Sequence, residues 1–255
     1  MARKASASDR GARAAVLLTG FGPFPTVAAN ATALLVPTLA ALARSAFPGY
    51  RFHAAVLATE WQAAPDHAER LVRSLVPVLA IHFGVSRRAR GFVIETRAVN
   101  RTADMPDACG ASPGQPCLMP HGDAELAVGL PARLIVERLR ARALPAMLSR
   151  DAGTYLCNAV LYRSCTLAVT GGRAMRTGFV HLPATLVDER RGIARSRPGC
   201  PLGWDQAIDG SLEIIAACLG RTPVGARRKV NGTPSASRAP GARGGRPWTS
   251  DGERH

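Results

Sequence analysis

Three side chains in this sequence have the types and settings needed for acyl transfer: Cys157, His181 and Glu95. Cys157 closes the turn Asp151-Ala152-Gly153-Thr154-Tyr155-Leu156-Cys157-Asn158, at the mouth of an apolar run in which Leu156, Val160 and Leu161 keep helical spacing. A thiol in the first turn of a helix lies beside unpaired backbone N–H groups and the positive end of the helix dipole. Such a setting lowers a thiol's pKa below its free value of roughly 8.5 and makes it a usable nucleophile. Most lone cysteines are small buried hydrophobes, however, so the reading depends on a base and an acid to accompany it. His181 stands alone in the apolar strand Gly178-Phe179-Val180-His181-Leu182-Pro183. A strand histidine is usually structural, but beside a helix-N-terminal cysteine it is a candidate to ionise the thiol and to protonate a leaving amine. Glu95 is the candidate carboxylate to orient the imidazole. Its plain alternative is a surface pair with Arg97, two residues along the same strand. Zinc is the competing use of these residue types. The spacing of Cys109, Cys117 and His121 fits no common structural zinc pattern, so no metal is expected.

The elements that must position these groups can be read from periodicity and punctuation. Ala15 to Leu18 reads as a buried strand that breaks into the rigid loop Thr19-Gly20-Phe21-Gly22-Pro23-Phe24-Pro25. Gly20-Phe21-Gly22 is half of a dinucleotide fingerprint, with Pro25 where the third glycine belongs, which argues against nucleotide binding. Further strands are predicted at Arg51–Leu57, Val78–Phe83, Phe92–Asn100, Pro145–Ser149 and Arg176–His181. Gly84 to Arg88 reads as a turn. Helices are predicted at Thr32–Phe47, Asp66–Leu75, Pro131–Ala143, from Cys157 onward and at Asp205–Leu219. Arg101 to Pro131 reads as a long functional loop or lid. Strands alternating with helices argue for an α/β fold with a mostly parallel sheet covered on both faces.

Composition narrows the class. The 255 residues carry a net charge of +15 and are 47% hydrophobic, with a mean hydropathy near zero. That excludes a wholly disordered chain and disfavours a membrane protein. From Gly220 onward there are eight Lys/Arg against two Asp/Glu, and before Ala15 four against one, so most of the excess lies in the ends. We therefore expect a basic tail at 1–14, one α/β domain at 15–219 and a disordered Arg/Gly/Pro/Ser-rich tail at 220–255. A tail of this kind is more often solvated than a nucleic-acid site, so no specific nucleic-acid partner is expected. The apolar run at Ala14 to Leu18 is too short for a signal-peptide core. Six irregularly spaced cysteines without a CxxC pair then suggest reduced thiols in a cytoplasmic protein.

Four motifs in order give the chain a resemblance to a known family. They are Thr19-Gly20-Phe21-Gly22-Pro23-Phe24 with Asn30 behind it, Glu95 with Asn100 and Pro106-Asp107, the cysteine motif Ala152 to Asn158, and Gly178 to Pro183. Together they resemble the pyroglutamyl peptidases (pyrrolidone-carboxylate peptidases, type I) over roughly Ala15 to Leu219. The resemblance implies a three-layer α/β/α sandwich, often a homotetramer. It also implies a cofactor-free cysteine peptidase that removes N-terminal pyroglutamate from peptides through a thioester. Cys157 would be nucleophile, His181 base and then acid, and Glu95 the orienting carboxylate. Phe21 and Phe24 would flank the pyrrolidone ring, Asn30 would hold the first loop, and amides around Cys157 would receive the oxyanion. Three positions depart from the family pattern. Asp104 stands where an arginine is usual, Val85 replaces a glutamine, and Ala184 replaces an aromatic residue. Arg97 or Arg101 is the candidate to stand in for the missing arginine. The nucleophile machinery therefore matches better than the pocket. A homologue acting on another cyclic amide, or an inactive one, is the alternative.

Overall fold

The computed structural model describes residues 13–24, 27–172, 174–186 and 199–224. Eight strands and five helices alternate along these residues: β1 (Ala14–Phe21), α1 (Ala31–Ala46), β2 (Tyr50–Leu57), α2 (Ala63–Leu75), β3 (Leu79–Ser86), β4 (Phe92–Glu95), β5 (Arg97–Val99), β6 (Glu125–Ala127), α3 (Ala132–Ala141), β7 (Ala146–Ser149), α4 (Leu156–Thr170), β8 (Arg176–Pro183) and α5 (Trp204–Leu219). Six strands form the central sheet in the order β2-β1-β3-β8-β4-β7. Every neighbouring pair is parallel except β4 with β8. The sheet is therefore mostly parallel, as the strand–helix alternation predicts.

Strand parity explains the layers, because successive side chains point to opposite faces. Val16 and Leu18 of β1, Leu79, Ile81 and Phe83 of β3, and Val180 and Leu182 of β8 join one core with α1, α3 and α5. Phe21 and Phe179 join the opposite core with α2 and α4, and Leu17 and Ala80 pack on that side as well. Both faces of β1, β3 and β8 are buried, which is why those strands read as unbroken apolar runs. On the first face Glu213 of α5 lies buried between Arg138 Nε at 2.5 Å and Arg142 Nη1 at 2.6 Å, tying α3 to α5. At the other end of the sheet, Asn30 caps α1: its Oδ1 accepts from Thr32 N–H at 3.1 Å and from the Thr32 hydroxyl at 2.8 Å. Its Nδ2 donates to the Gly22 carbonyl at 3.1 Å, so one side chain starts the helix and holds the preceding loop.

The structure corrects the sequence reading in three places. The predicted strand Phe92–Asn100 is two strands: β4 ends at Glu95 in the central sheet, and β5 pairs antiparallel with β6 in a separate ribbon. The predicted turn at Gly84 is still strand, because β3 pairs with β8 as far as Ser86 and Pro183. The long predicted loop contains β6, whose strand partner β5 lies about 28 residues earlier and leaves no local signature. The expected tails lie almost wholly outside the described residues. No helix among the described residues is long and apolar enough to cross a membrane.

Candidate active site

The parity that builds the layers also gathers the polar groups. Phe92 and Ile94 of β4 face the α1/α3/α5 core, which turns Glu95 to the face covered by α4. Val180 and Leu182 do the same for β8, which turns Phe179 and His181 toward α4. His181 Nδ1 meets Glu95 Oε1 at 2.9 Å, and His181 is also hydrogen-bonded to the Cys157 side chain. Glu95 is 1% exposed and His181 8%. Burial pulls the imidazole's pKa down, but the charge of Cys157 and its hydrogen bond, with those of Glu95, outweigh burial and raise it to about 9. Sulfur, imidazole and carboxylate thus form one connected line across α4, β8 and β4.

Cys157 is the second residue of α4, where Tyr155 is the N-cap in an extended conformation and makes no side-chain capping bond. The first-turn amides of α4 are therefore left without a side-chain acceptor from the cap. Gly84 of β3 lies directly beneath the sulfur. A Cβ built on Gly84 would come within 2.7 Å of Phe179 Cζ and 3.1 Å of Cys157 Sγ, so only glycine leaves room for both groups.

An aromatic wall surrounds the cysteine turn. Phe21 packs on Phe179 with ring centroids 6.3 Å apart, and Phe24 on Tyr155 at 6.4 Å. Tyr155 meets Trp61 edge-on at 5.1 Å, and its hydroxyl donates to the Pro106 carbonyl at 3.1 Å. The segment around Pro106 is stapled to both sides of this wall. Trp61 Nε1 donates to Met105 O at 2.8 Å, the Trp61 amide to Asp107 Oδ2 at 2.9 Å, and the Ala103 amide to Thr154 O at 2.7 Å. Asp107 is buried, which works to raise its carboxyl pKa. Amide hydrogen bonds from Trp61, Ala111 and Cys109 overcome burial and lower it.

Of the residues singled out in the sequence, Cys157, His181 and Glu95 come together, with Phe21 and Phe24 beside them and Asn30 behind the first loop. Arg97 is committed elsewhere: its guanidinium binds Glu125 and donates to the Arg150 carbonyl at 2.5 Å. Among the described residues Glu95 has only His181 as an ionic partner, and Glu95 Oε2 is buried without a hydrogen bond. No group of three or more metal-ligating side chains is present among the described residues.

A sequence model of the pyroglutamyl peptidase family matches residues 14–203. The chain belongs to that family. The span runs from the first residue of β1 to the entry of α5, and it includes the whole constellation above. The pyrrolidone-carboxylate peptidase of Cupriavidus pinatubonensis is 34% identical, over 80% of this chain and 92% of its own. That of Chromobacterium violaceum is 37% identical, over 66% and 77%. A solved mutant pyrrolidone carboxyl peptidase from Pyrococcus furiosus superimposes with a TM-score of 0.71 at 26% identity, covering 81% of this chain and 98% of that one.

Side chains that the sequence reading passed over complete this family site. Asn158, fully buried, accepts from the Val99 amide at 2.9 Å and donates to the carbonyls of Val99 at 2.8 Å and Arg101 at 3.1 Å. It fastens β5 and the start of the long loop to the turn that carries Cys157. Its place next to Cys157 in the motif was the one signal available. Trp61 had none, since its partners Met105 and Asp107 lie more than 40 residues away.

Proposed function

We propose that this chain is a cysteine peptidase that hydrolyses the bond after an N-terminal pyroglutamyl residue, with Cys157, His181 and Glu95 as its catalytic residues. The observation that carries the reading is the 2.9 Å bond from His181 to Glu95 in line with Cys157 at the uncapped start of α4. In the first half of the reaction, Cys157 Sγ attacks the pyroglutamyl carbonyl carbon and the carbonyl oxygen becomes an oxyanion. First-turn amides of α4 receive that charge. The intermediate collapses by breaking the C–N bond, and the His181 imidazolium gives its proton to the leaving nitrogen, releasing the shortened peptide. In the second half, neutral His181 takes a proton from water as the water oxygen attacks the thioester. Sγ then leaves as thiolate, pyroglutamate departs, and the thiolate–imidazolium pair is restored. Glu95 keeps Nδ1 protonated and Nε2 directed at the reacting atoms.

The half-buried Phe24 and Tyr155 supply apolar surface for a flat five-membered lactam, and the buried rings of Phe21 and Trp61 back that wall. No cofactor enters these steps. The six cysteines are free thiols, which fits a reducing, cytoplasmic setting. Assembly as a homo-oligomer is part of the same reading. Leu134 of α3 and Met147 and Leu148 of the edge strand β7 are each 37% exposed or more, apolar side chains at the sheet edge that a second copy would cover; light scattering on the purified chain tests it.

The deciding assay is release of a chromophoric amine from a pyroglutamyl amide. Cys157→Ser and His181→Ala are each expected to lower kcat by about a thousandfold or more. Full activity in Cys157→Ser would end the proposal.

A further inference from the structure

We propose that Phe179 is a positioning residue for this reaction: its buried ring lies against the His181 imidazole, stabilises it as a cation and holds it facing Cys157. The two residues are two apart in β8 and so share the face covered by α4. Their ring centroids are 4.7 Å apart at an interplanar angle of 45°, the closest ring pair among the described residues. The face of an aromatic ring within about 6 Å of a desolvated cation attracts it through the ring's quadrupole. Phe179 is fully buried, so no water competes for that contact.

The surroundings indicate that the ring is aimed and not simply accommodated. On one side Phe21 of β1 supports it at 6.3 Å, and on another His82 of β3 at 6.4 Å. Gly84 leaves the space beside which both the Phe179 edge and the Cys157 sulfur lie, since any side chain there would strike both. The register Val93–His181 and Ile94–Val180 brings Glu95 level with Phe179, so carboxylate and ring flank the imidazole from neighbouring strands. The titratable groups that face this imidazole are thus Cys157 from α4 and Glu95 from β4. His82 lies beyond the Phe179 ring, where burial holds it neutral by lowering its pKa to about 4. Two of the three favour the proton on His181, and Phe179 separates it from the third.

This inference rests on the role proposed above for His181, and its test is chosen to fail separately. In the full chain, Phe179 is replaced by 4-fluoro- and then 3,4,5-trifluorophenylalanine, which keep the ring's shape and progressively weaken its quadrupole. The ring carbon of His181 is titrated by NMR in each protein, assigned by its loss in His181→Asn. The pKa of His181 is expected to fall stepwise, by roughly one pH unit with three fluorines. The alkaline limb of kcat/KM for a pyroglutamyl amide should move with it, with kcat reduced and KM changed less than about twofold. A ring that merely fills the core would leave the pKa of His181 and the pH limb constant across the series, and that result overturns the inference. The titration needs no turnover, so it reads Phe179 even if the peptidase assay itself were to fail.

Discussion

His181 stands between two groups that favour its proton, and the sign of that effect sets the pH behaviour of the site. Its pKa is raised to about 9 in the folded chain. Activity that needs the imidazolium is therefore retained through neutral pH and lost as pH rises through that value. The same shift stabilises the fold, fully below the unfolded pKa of roughly 6.5 and not above about 9. Glu95→Gln removes one of the two charges. Its alkaline limb in kcat/KM should move down by roughly one pH unit, with kcat falling tenfold or more. An unmoved limb would show that Glu95 does not act on His181. Gly84→Ala tests the floor of the same site. A methyl group there must displace the Cys157 sulfur or the Phe179 ring, so alkylation of Cys157 by iodoacetamide at neutral pH should slow by roughly tenfold, and the melting temperature should fall by several degrees because overpacking costs about 1 to 3 kcal/mol.

Elements act here by holding loops to the sheet. Asn158, fully buried, joins α4 to β5 with two hydrogen bonds and to the Arg101 carbonyl with a third, so Asn158→Ala leaves the Val99 amide and carbonyl and the Arg101 carbonyl without that partner. The expected loss is about 2 to 3 kcal/mol in urea unfolding, with faster proteolysis within residues 101–118. On the opposite face Glu213 draws Arg138 of α3 and Arg142 at its C-terminal cap onto α5, and both guanidinium groups are partly exposed. Glu213→Ala should cost about 2 kcal/mol, less than a wholly buried pair because solvent already screens the arginines. Peptidase activity should persist, since α3 and α5 pack on the face away from Cys157. A large loss of kcat in that variant would mean the two faces are coupled.

At the scale of the whole molecule, His82 is expected to make stability fall in acid. It is fully buried between Thr19 Oγ1 at 2.7 Å and Ser164 Oγ at 2.9 Å, bridging β1, β3 and α4. Burial lowers its pKa to about 4. Above the unfolded value of roughly 6.5 neither state carries the extra proton. As pH falls below it, the unfolded chain takes up a proton that the folded chain refuses until about 4, and stability declines by an amount on the order of 3 kcal/mol. His82→Gln keeps a polar bridge and removes the titration, so its urea midpoint should vary less between pH 6.5 and 4 than the wild-type midpoint does. Parallel slopes in the two proteins would remove His82 from the account of acid unfolding.

What the sequence determined by itself is local. Apolar runs bounded by Gly and Pro marked β1, β3 and β8, helical spacing after Cys157 marked α4, and a cysteine beginning a helix with a lone strand histidine elsewhere suggested acyl transfer. The four ordered motifs pointed to the family that residues 14–203 match. Only the tertiary structure decided which groups meet. Glu95 and Arg97 are two residues apart in sequence, yet the chain changes sheet between them, so one turns to His181 and the other to Glu125. Gly84 read as a turn residue because glycine usually breaks a strand; its place under Cys157 and Phe179 depends on β3 pairing with β8, a strand more than 90 residues later. Periodicity reports the burial of one element, whereas a site assembled across β3, β4, β8 and α4 is fixed by register between strands that are distant in the chain.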